Sequence, residues 1–276
     1  MRFALTSCSK IQKQPVQPAW KKIEREKPEL LLMLGDNVYG GNYLLSWKRY
    51  HRNLERRYQA QLDESHFKHL TAKVPFRAIW DDHDFAKWDD AKGANIKTKY
   101  KDRSRELFHR YMRSSNNLPE VYYAFYQGNA RFIMLDVRYY REPAGKKATI
   151  LGKRQEAWLE RQLDHGRQYT VIGSGSCLTK NSERWSRYTN YYNRFCALAR
   201  ERGNVLFVSG DIHKNRFIEH DGFHEVISSG VGRGNRDNYG IVDLQDEVAK
   251  IKLRGNDPKD NNDVMIDTQT WQVVGR

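Results

Sequence analysis

Five short apolar runs in this chain each end in side chains that resist burial, and this repetition constrains the fold more than any other feature. "RFALTSC" delivers Cys8, "ELLLMLGD" delivers Asp36, and "FRAIWDDHD" delivers Asp81 to Asp84. "RFIMLDVR" delivers Asp136 with Arg138, and "VLFVSGDIH" delivers Asp211 with His213. Runs of this length, apolar at successive positions, read as strands buried on both faces, which is the habit of parallel sheets covered by helices. Ligands in such sheets collect beyond the carboxyl ends of the strands. Carboxylates taken out of water at those ends need a cation or a dense set of donors.

The segments between the runs are charged and helical in character. "PAWKKIEREKP" reads as a helix closed by Pro28, residues 46–70 and 98–115 as further helices, and "LGKRQEAWLERQL" as an amphipathic helix burying Trp158, Leu159 and Leu163. Another helix runs through "WSRYTNYYNRFCALARE". "VYYAFYQGNARFIMLDVR" reads as a hairpin turning at Gly128-Asn129, and short β runs fall at 215–220, 224–228, 239–244 and 248–253. Alternating helices and strands followed by clustered strands predict an α/β fold, a two-sheet β-sandwich core flanked by helices in the order α/β/β/α. With 276 residues, 39% of them hydrophobic and 12% aromatic, and no linker-like stretch, we expect one domain over residues 1–255. The polar tail, 256–276, is expected to be loosely ordered.

Lys plus Arg outnumber Asp plus Glu by 48 to 34, for a formal charge of +14. Such a field concentrates anionic ligands, phosphorylated molecules among them. Nucleic acid is the less favoured partner because the basic residues are spread along the chain. The densest stretch, "WKRYHRNLERRYQ" at 47–59, reads as an exposed helix face. No run approaches the 18 apolar residues of a membrane span, and "MRFALTSCSK" is too short and polar for a signal core. Three cysteines, Cys8, Cys177 and Cys196, suit reduced thiols. A cytoplasmic location is expected, with a periplasmic or secreted mature form as the alternative.

Carboxylate, imidazole and one thiolate together form a mixed hard and borderline donor set, suited to iron, zinc, manganese or calcium. Two or more ions bridged by a carboxylate generate a hydroxide and clamp the attacking and leaving oxygens of phosphoryl transfer. A nearby imidazole can protonate the leaving group, and Arg138 can offer its fork to phosphate oxygens. The bland alternatives stay open. Gly-Asp after a strand is often a turn, Cys8 can be a small core residue, and Arg138 can pair with Asp136. His51, His66, His69, His109, His165, His220 and His224 lack comparable neighbours and read as surface or core.

In order and placement, Gly35-Asp36, Trp80-Asp81-Asp82-His83-Asp84, Leu135-Asp136-Val137-Arg138, Leu151-Gly152 with Gln155, and Ser209-Gly210-Asp211-Ile212-His213 resemble the PhoD-like alkaline phosphatases, a branch of the calcineurin-like metallophosphoesterases. The resemblance implies a metallophosphoesterase-like fold and hydrolysis of phosphate esters by a metal-activated hydroxide. It implies Asp36 as the bridging ligand, Asp82, Asp211 and His213 as further ligands, His83 as the general acid, and Asp84 as the carboxylate that orients it. Cys8 stands where the wider superfamily has Asp-x-His, and the resemblance makes it an iron ligand. Asn37 and Tyr39 lie close enough in sequence to assist. The superfamily's middle metal-binding His has no counterpart, because that strand end reads Gly173-Ser174-Gly175-Ser176. The alternatives are a phosphodiesterase or nuclease acting on nucleic acid or lipid head groups, and a non-catalytic basic nucleic-acid-binding module. Substrate choice is expected from loops 86–97 and 180–192.

Overall fold

The computed structural model describes residues 1–112, 119–163 and 168–276. The chain opens with β1 (Arg2–Thr6), α1 (Ala19–Arg25), β2 (Leu30–Leu34), α2 (Trp47–Asp63), α3 (Ser65–Thr71), β3 (Phe76–Ile79), α4 (Asp82–Phe85) and α5 (Thr98–Met112). A second series follows: β4 (Tyr123–Gln127), β5 (Ala130–Met134), α6 (Lys153–Leu163), β6 (Tyr169–Ser174), α7 (Thr189–Arg202) and β7 (Val205–Ser209). It ends in β8 (Arg216–His220), β9 (Phe223–Ile227), β10 (Tyr239–Leu244), β11 (Val248–Arg254), β12 (Asn262–Asp267) and β13 (Val273–Gly275).

The strands form a seven-stranded sheet in the order β13-β12-β11-β10-β1-β2-β3 and a six-stranded sheet in the order β4-β5-β6-β7-β9-β8. Each has a parallel block, β1-β2-β3 at one end of the first and β5-β6-β7-β9 in the middle of the second. The continuous apolar runs follow from burial on both faces. In β2, Leu30, Leu32 and Leu34 pack between the sheets, while Leu31 and Met33 turn outward onto Trp20, Leu54 and Leu107 of the helices. β7 does the same in mirror fashion, with Leu206 and Val208 inward and Val205 and Phe207 outward against Leu159 and Phe195. Period-two side chains thus build three cores from two sheets, giving the α/β/β/α layering.

Several local expectations are refined. The predicted helix over 46–70 is two helices, divided where the carboxylate of Glu64 accepts the Phe67 N–H at 2.6 Å and starts α3. The predicted helix over 98–115 is seen to Met112; residues 113–115, like His165, lie outside the described residues. The turn at Gly128-Asn129 is present, with Gln127 opposite Ala130. The expectation of a loose tail is corrected. Residues 262–275 supply β12 and β13, Val264 and Ile266 enter the core between the sheets, and the Trp271 indole donates to the Val205 carbonyl at 3.2 Å. Alternation over only a few residues, flanked by Asn and Asp, hid a strand whose one apolar face closes the sandwich.

The two sheets meet where their parallel strands end. Gly230 and Val231 N–H groups donate to the Ser7 carbonyl at 3.0 and 3.2 Å, and Ser7 Oγ donates to the Ser228 carbonyl at 3.0 Å. Gly210 makes this approach feasible, since a Cβ there would lie 2.4 Å from Ser7 Oγ.

Candidate metal centre

Past β1, β2 and β7 the chain turns sharply, and the turning residues are the ones the sequence singled out. Cys8, Asp36, Asp211 and His213 all have left-handed backbones, with φ of 59°, 51°, 73° and 53°. Non-glycine residues seldom adopt this conformation, and it clusters at functional sites. Here it aims the side chains back over the sheet ends.

Two donor groups result. One is Cys8, Asp36 and His213; the other is Asp36, Asp82 and His83; within each group the donor atoms lie within 4.8 Å of one another. Asp36 belongs to both. Cys8 Sγ sits 3.5 Å from Asp36 Oδ2 and accepts from Ser229 Oγ at 3.2 Å. The His83 N–H donates to Asp36 Oδ1 at 3.1 Å, and Tyr39 Oη lies 3.4 Å from His213 Nε2 while accepting from Arg233 at 3.0 Å. Among the described residues Asp211 falls in neither group; its Oδ2 accepts from the Asn181 amide.

The electrostatics are those of an anionic pocket short of cations. Burial, then Asp82 and Cys8, hold the Asp36 carboxyl well above its usual range, and burial, then Glu183 and Asp81, do the same to Asp211. Burial pushes the Cys8 thiol up to about 11 and His213 down to about 3. Asp82 is held low although burial works against it, through Arg138, His83 and the Asp90 N–H at 2.7 Å. Buried polar atoms without partners, His83 Nδ1, Asp81 Oδ2 and Asn37 Oδ1, surround the same place. Burial holds the Cys8 thiol, the Asp36 carboxyl and the His213 ring neutral, and a cation beside them would ionise the first two while the neutral ring is already a ligand, a donor set that fits metal ions.

Two side chains with expected roles point elsewhere in the structure. Asp84 accepts from Asn37 N and Nδ2, Val38 N, Asp81 N and Tyr58 Oη, at 3.0–3.3 Å, and among the described residues it makes no bond to His83. It binds the β2 and β3 turns together. The carboxylate that reaches His83 is Asp89, 3.3 Å from Nε2. Arg138 is fully buried and does not open toward a phosphate; its Nε bonds Asp81, its Nη2 bonds Glu183 at 2.6 Å and Ser176 at 3.3 Å, and its Nη1 makes no hydrogen bond among the described residues. Nor does its guanidinium pair with Asp136, whose Oδ1 instead accepts Trp80 Nε1 and the N–H groups of Arg138 and Tyr139. Gln155 braces that turn by bonding both the N–H and the carbonyl of Asp136.

The strand end without a histidine also has an explanation. A Cβ on Gly175 would stand 2.6 Å from Asp81 Cγ, so the bare backbone at Gly175 leaves room for the Asp81–Arg138 pair. Sequence reasoning missed Asp89, Asn181, Glu183 and Arg233, which sit on loops whose spacing carries no signal. Tyr39 was signalled only by its place in "GDNVY".

Comparisons with known proteins bear on the fold and the family. No curated protein sequence matches the chain. Among solved structures, the chain is similar to PhoD with a TM-score of 0.78 at 18% identity, covering 100% of this chain and 71% of that one. It is similar to the purple acid phosphatase PPD1 from yellow lupin (Lupinus luteus) seeds, with a TM-score of 0.62 at 12% identity, over 97% of this chain and 53% of that one. It is also similar to GAP50, the anchor in the inner membrane complex of Plasmodium, with a TM-score of 0.54 at 15% identity, over 100% and 87% of the two chains. At such identities the likeness speaks for the shared fold. The family is carried by the sequence itself: a family model described as PhoD-like phosphatase matches residues 3–261, and the chain belongs to that family of phosphoester hydrolases.

Proposed function

We propose that this chain hydrolyses phosphate esters, monoesters or diesters, with two metal ions held at the strand ends, Cys8, Asp36 and His213 taking one and Asp36 and Asp82 the other. The observation that carries the reading is the membership of Asp36 in both donor groups, since a carboxylate shared by two clusters is the means of bridging two ions. Bound there, the ions would supply Lewis acidity toward a phosphoryl group and lower the cost of ionising a water.

The chain's own residues do the rest. His83 holds a proton at Nε2, 3.3 Å from Asp89, and delivers it to a leaving oxygen that displaces this carboxylate. Tyr39 closes the Cys8 side, its ring 4.1 Å from the His83 ring. The thiol of Cys8, pushed up to about 11 by burial, becomes a thiolate only beside a cation, and a soft donor favours iron or zinc there. Oxygen donors at Asp36 and Asp82 suit a harder ion such as calcium or manganese.

The test combines metal removal with a leaving-group series. Chelation should abolish turnover of an aryl phosphate, and ferric or divalent ions should restore it. His83→Asn should slow esters with poor leaving groups about 10²–10⁴-fold more than activated ones while keeping the metal. Cys8→Ser should lose bound iron and any visible thiolate-to-iron absorption. Full activity in chelated protein defeats the reading, and metal loss with equal slowing of both ester types makes His83 a ligand instead of an acid.

A further inference from the structure

The basic stretch at 47–59 reads from sequence as a solvated helix face, and the structure gives part of it a different setting. A cleft of about 690 Å³ opens over His83 and Tyr39, and one of its walls is α2, which contributes Arg49, Asn53 and Arg57. These lie four residues apart on one helix face, a rail of about 12 Å at 1.5 Å per residue. Lys10 lines the same cleft, with Nζ 4.7 Å from the centre of the Tyr39 ring.

The cations of this wall have no ion-pair partner among the described residues, although Lys10 rests over the Tyr39 ring. Among the described residues no carboxylate lies within ion-pair distance of Lys10, Arg49 or Arg57. The carboxylate that lines the cleft among the described residues, Asp89, is already on His83. Lys87, by contrast, is engaged, donating to the carbonyls of Tyr43 and Leu45 and so bracing the loop at the rim. Arg57 is half-buried, and burial and then Arg56 press its pKa down, so the fold holds it here against its own electrostatics. Arg49, Arg57 and Lys10 thus put like charges on one wall without a paired carboxylate among the described residues, and such a field favours an anion from outside.

We propose that Arg49, Arg57 and Lys10 form a specificity subsite for a second strong anion of the phosphate class, carried by the substrate beyond the group that is hydrolysed. The inference rests on the phosphoesterase reading of the cleft floor and deepens it. The preferred substrate is an anionic chain or a multiply phosphorylated molecule rather than an ester of a neutral alcohol. Its reacting phosphate lies at Asp36, Asp82 and His83 while its second anion runs along α2.

A matched pair of aryl phosphates tests this on metal-loaded protein. Both are 4-carboxamidophenyl phosphates, one an N-(2-sulfoethyl) amide and the other an N-ethyl amide. Leaving-group acidity is shared, and the sulfonate cannot be hydrolysed. The wild-type chain should prefer the sulfonated ester in kcat/KM by on the order of tenfold, mainly through KM. Arg57→Gln should bring that ratio toward one, and so should Arg49→Gln, whose exposed side chain makes misfolding an unsuitable explanation. Arg161→Gln, on α6 in the opposite outer layer, removes the same charge and should leave the ratio in place. Equal handling of the two esters by the wild type overturns the subsite, as does an equal fall in all three variants, which would assign the preference to the overall field. If neither ester turns over, the phosphoesterase reading fails and takes the subsite with it.

Discussion

Replacing Arg138 by Met separates a buried counter-ion from a phosphate contact. The guanidinium is fully buried and bonds Asp81 through Nε and Glu183 through Nη2 at 2.6 Å. Met keeps most of the apolar stem and removes the charge, which leaves two carboxylates facing Ser176 and each other. Removing one partner from a buried ion pair typically costs about 3–5 kcal/mol. Part of that is relieved here, because burial, opposed by Arg138, already brings Glu183 to about 7 and it can take up a proton. Asp81 is the more exposed to the loss, being 1% accessible at its side chain and beside Asp82. The expected loss is therefore about 3 kcal/mol, or on the order of 10 °C in Tm for a chain of this size. Urea unfolding of chelator-treated protein reads it directly, without metal linkage, and the m-value should stay constant. Adding Glu183→Gln to Arg138→Met should recover about 1 kcal/mol, since contacting residues couple by that much or more. An unchanged urea midpoint together with a raised KM for an aryl phosphate would refute the argument and return Arg138 to the substrate.

Two further outcomes follow from other parts of the fold. His51 is buried against Ser104 Oγ at 3.2 Å, and burial holds its pKa down to about 4. The folded form therefore binds a proton less readily than the unfolded chain at about 6.5, so stability is full above pH 6.5 and is lost as pH falls toward 4. Allowing for partial solvent screening the loss is about 1–2 kcal/mol, and urea midpoints of wild type and His51→Gln should converge by pH 4.5; parallel curves would exclude the titration. Trp271→Ala should destabilise by about 3–5 kcal/mol, because the indole fills the core between the sheets and bonds the start of β7. A thermal midpoint unaffected by Trp271→Ala would mean that β12 and β13 are dispensable.

What the sequence made legible depended on burial at both faces. β2 is apolar throughout and β5 and β7 at all but one position each, Arg131 and Ser209, so their ends could be located, and parallel strands place their ends side by side. The roles of Asp84 and Arg138 were not legible, because adjacency in sequence was read as adjacency in space. Residues 82–85 form a helical turn, in which successive side chains point about 100° apart. Asp82 and His83 therefore face Asp36, while Asp84 turns back to Asn37 and Tyr58. Arg138 carried the charge of a phosphate ligand, but its partners Asp81 and Glu183 are far apart in sequence, and no spacing pattern announces such a pair. The tail failed for a third reason. Val264 and Ile266 make too short an alternation to be distinguished from a polar loop until β11 is there to pair with them.

The carboxylates of the strand ends divide by direction, and the division explains how so costly a site is held. Asp36 and Asp82 turn toward the donor groups that Cys8, His83 and His213 complete, and the chain accepts left-handed backbones at Cys8, Asp36 and His213 to put them there. Each such conformation costs on the order of 1–3 kcal/mol and persists only where surrounding contacts over-determine it. Those contacts come from the second set. Asp84 takes N–H groups from the β2 and β3 turns, and Asp136 takes those of the β5 turn while Gln155 pins it to α6. Asp81, through Arg138, ties β3 to the loop bearing Glu183 and, by way of Asn181, to Asp211. Carboxylates that accept several backbone N–H groups rigidify the turns that carry them. Strain and like-charge repulsion at the strand ends are thus offset by a layer beneath them, so neighbouring residues of "DDHD" serve different ends: Asp82 and His83 join the donor group of Asp36, and Asp81 and Asp84 the scaffold that holds it.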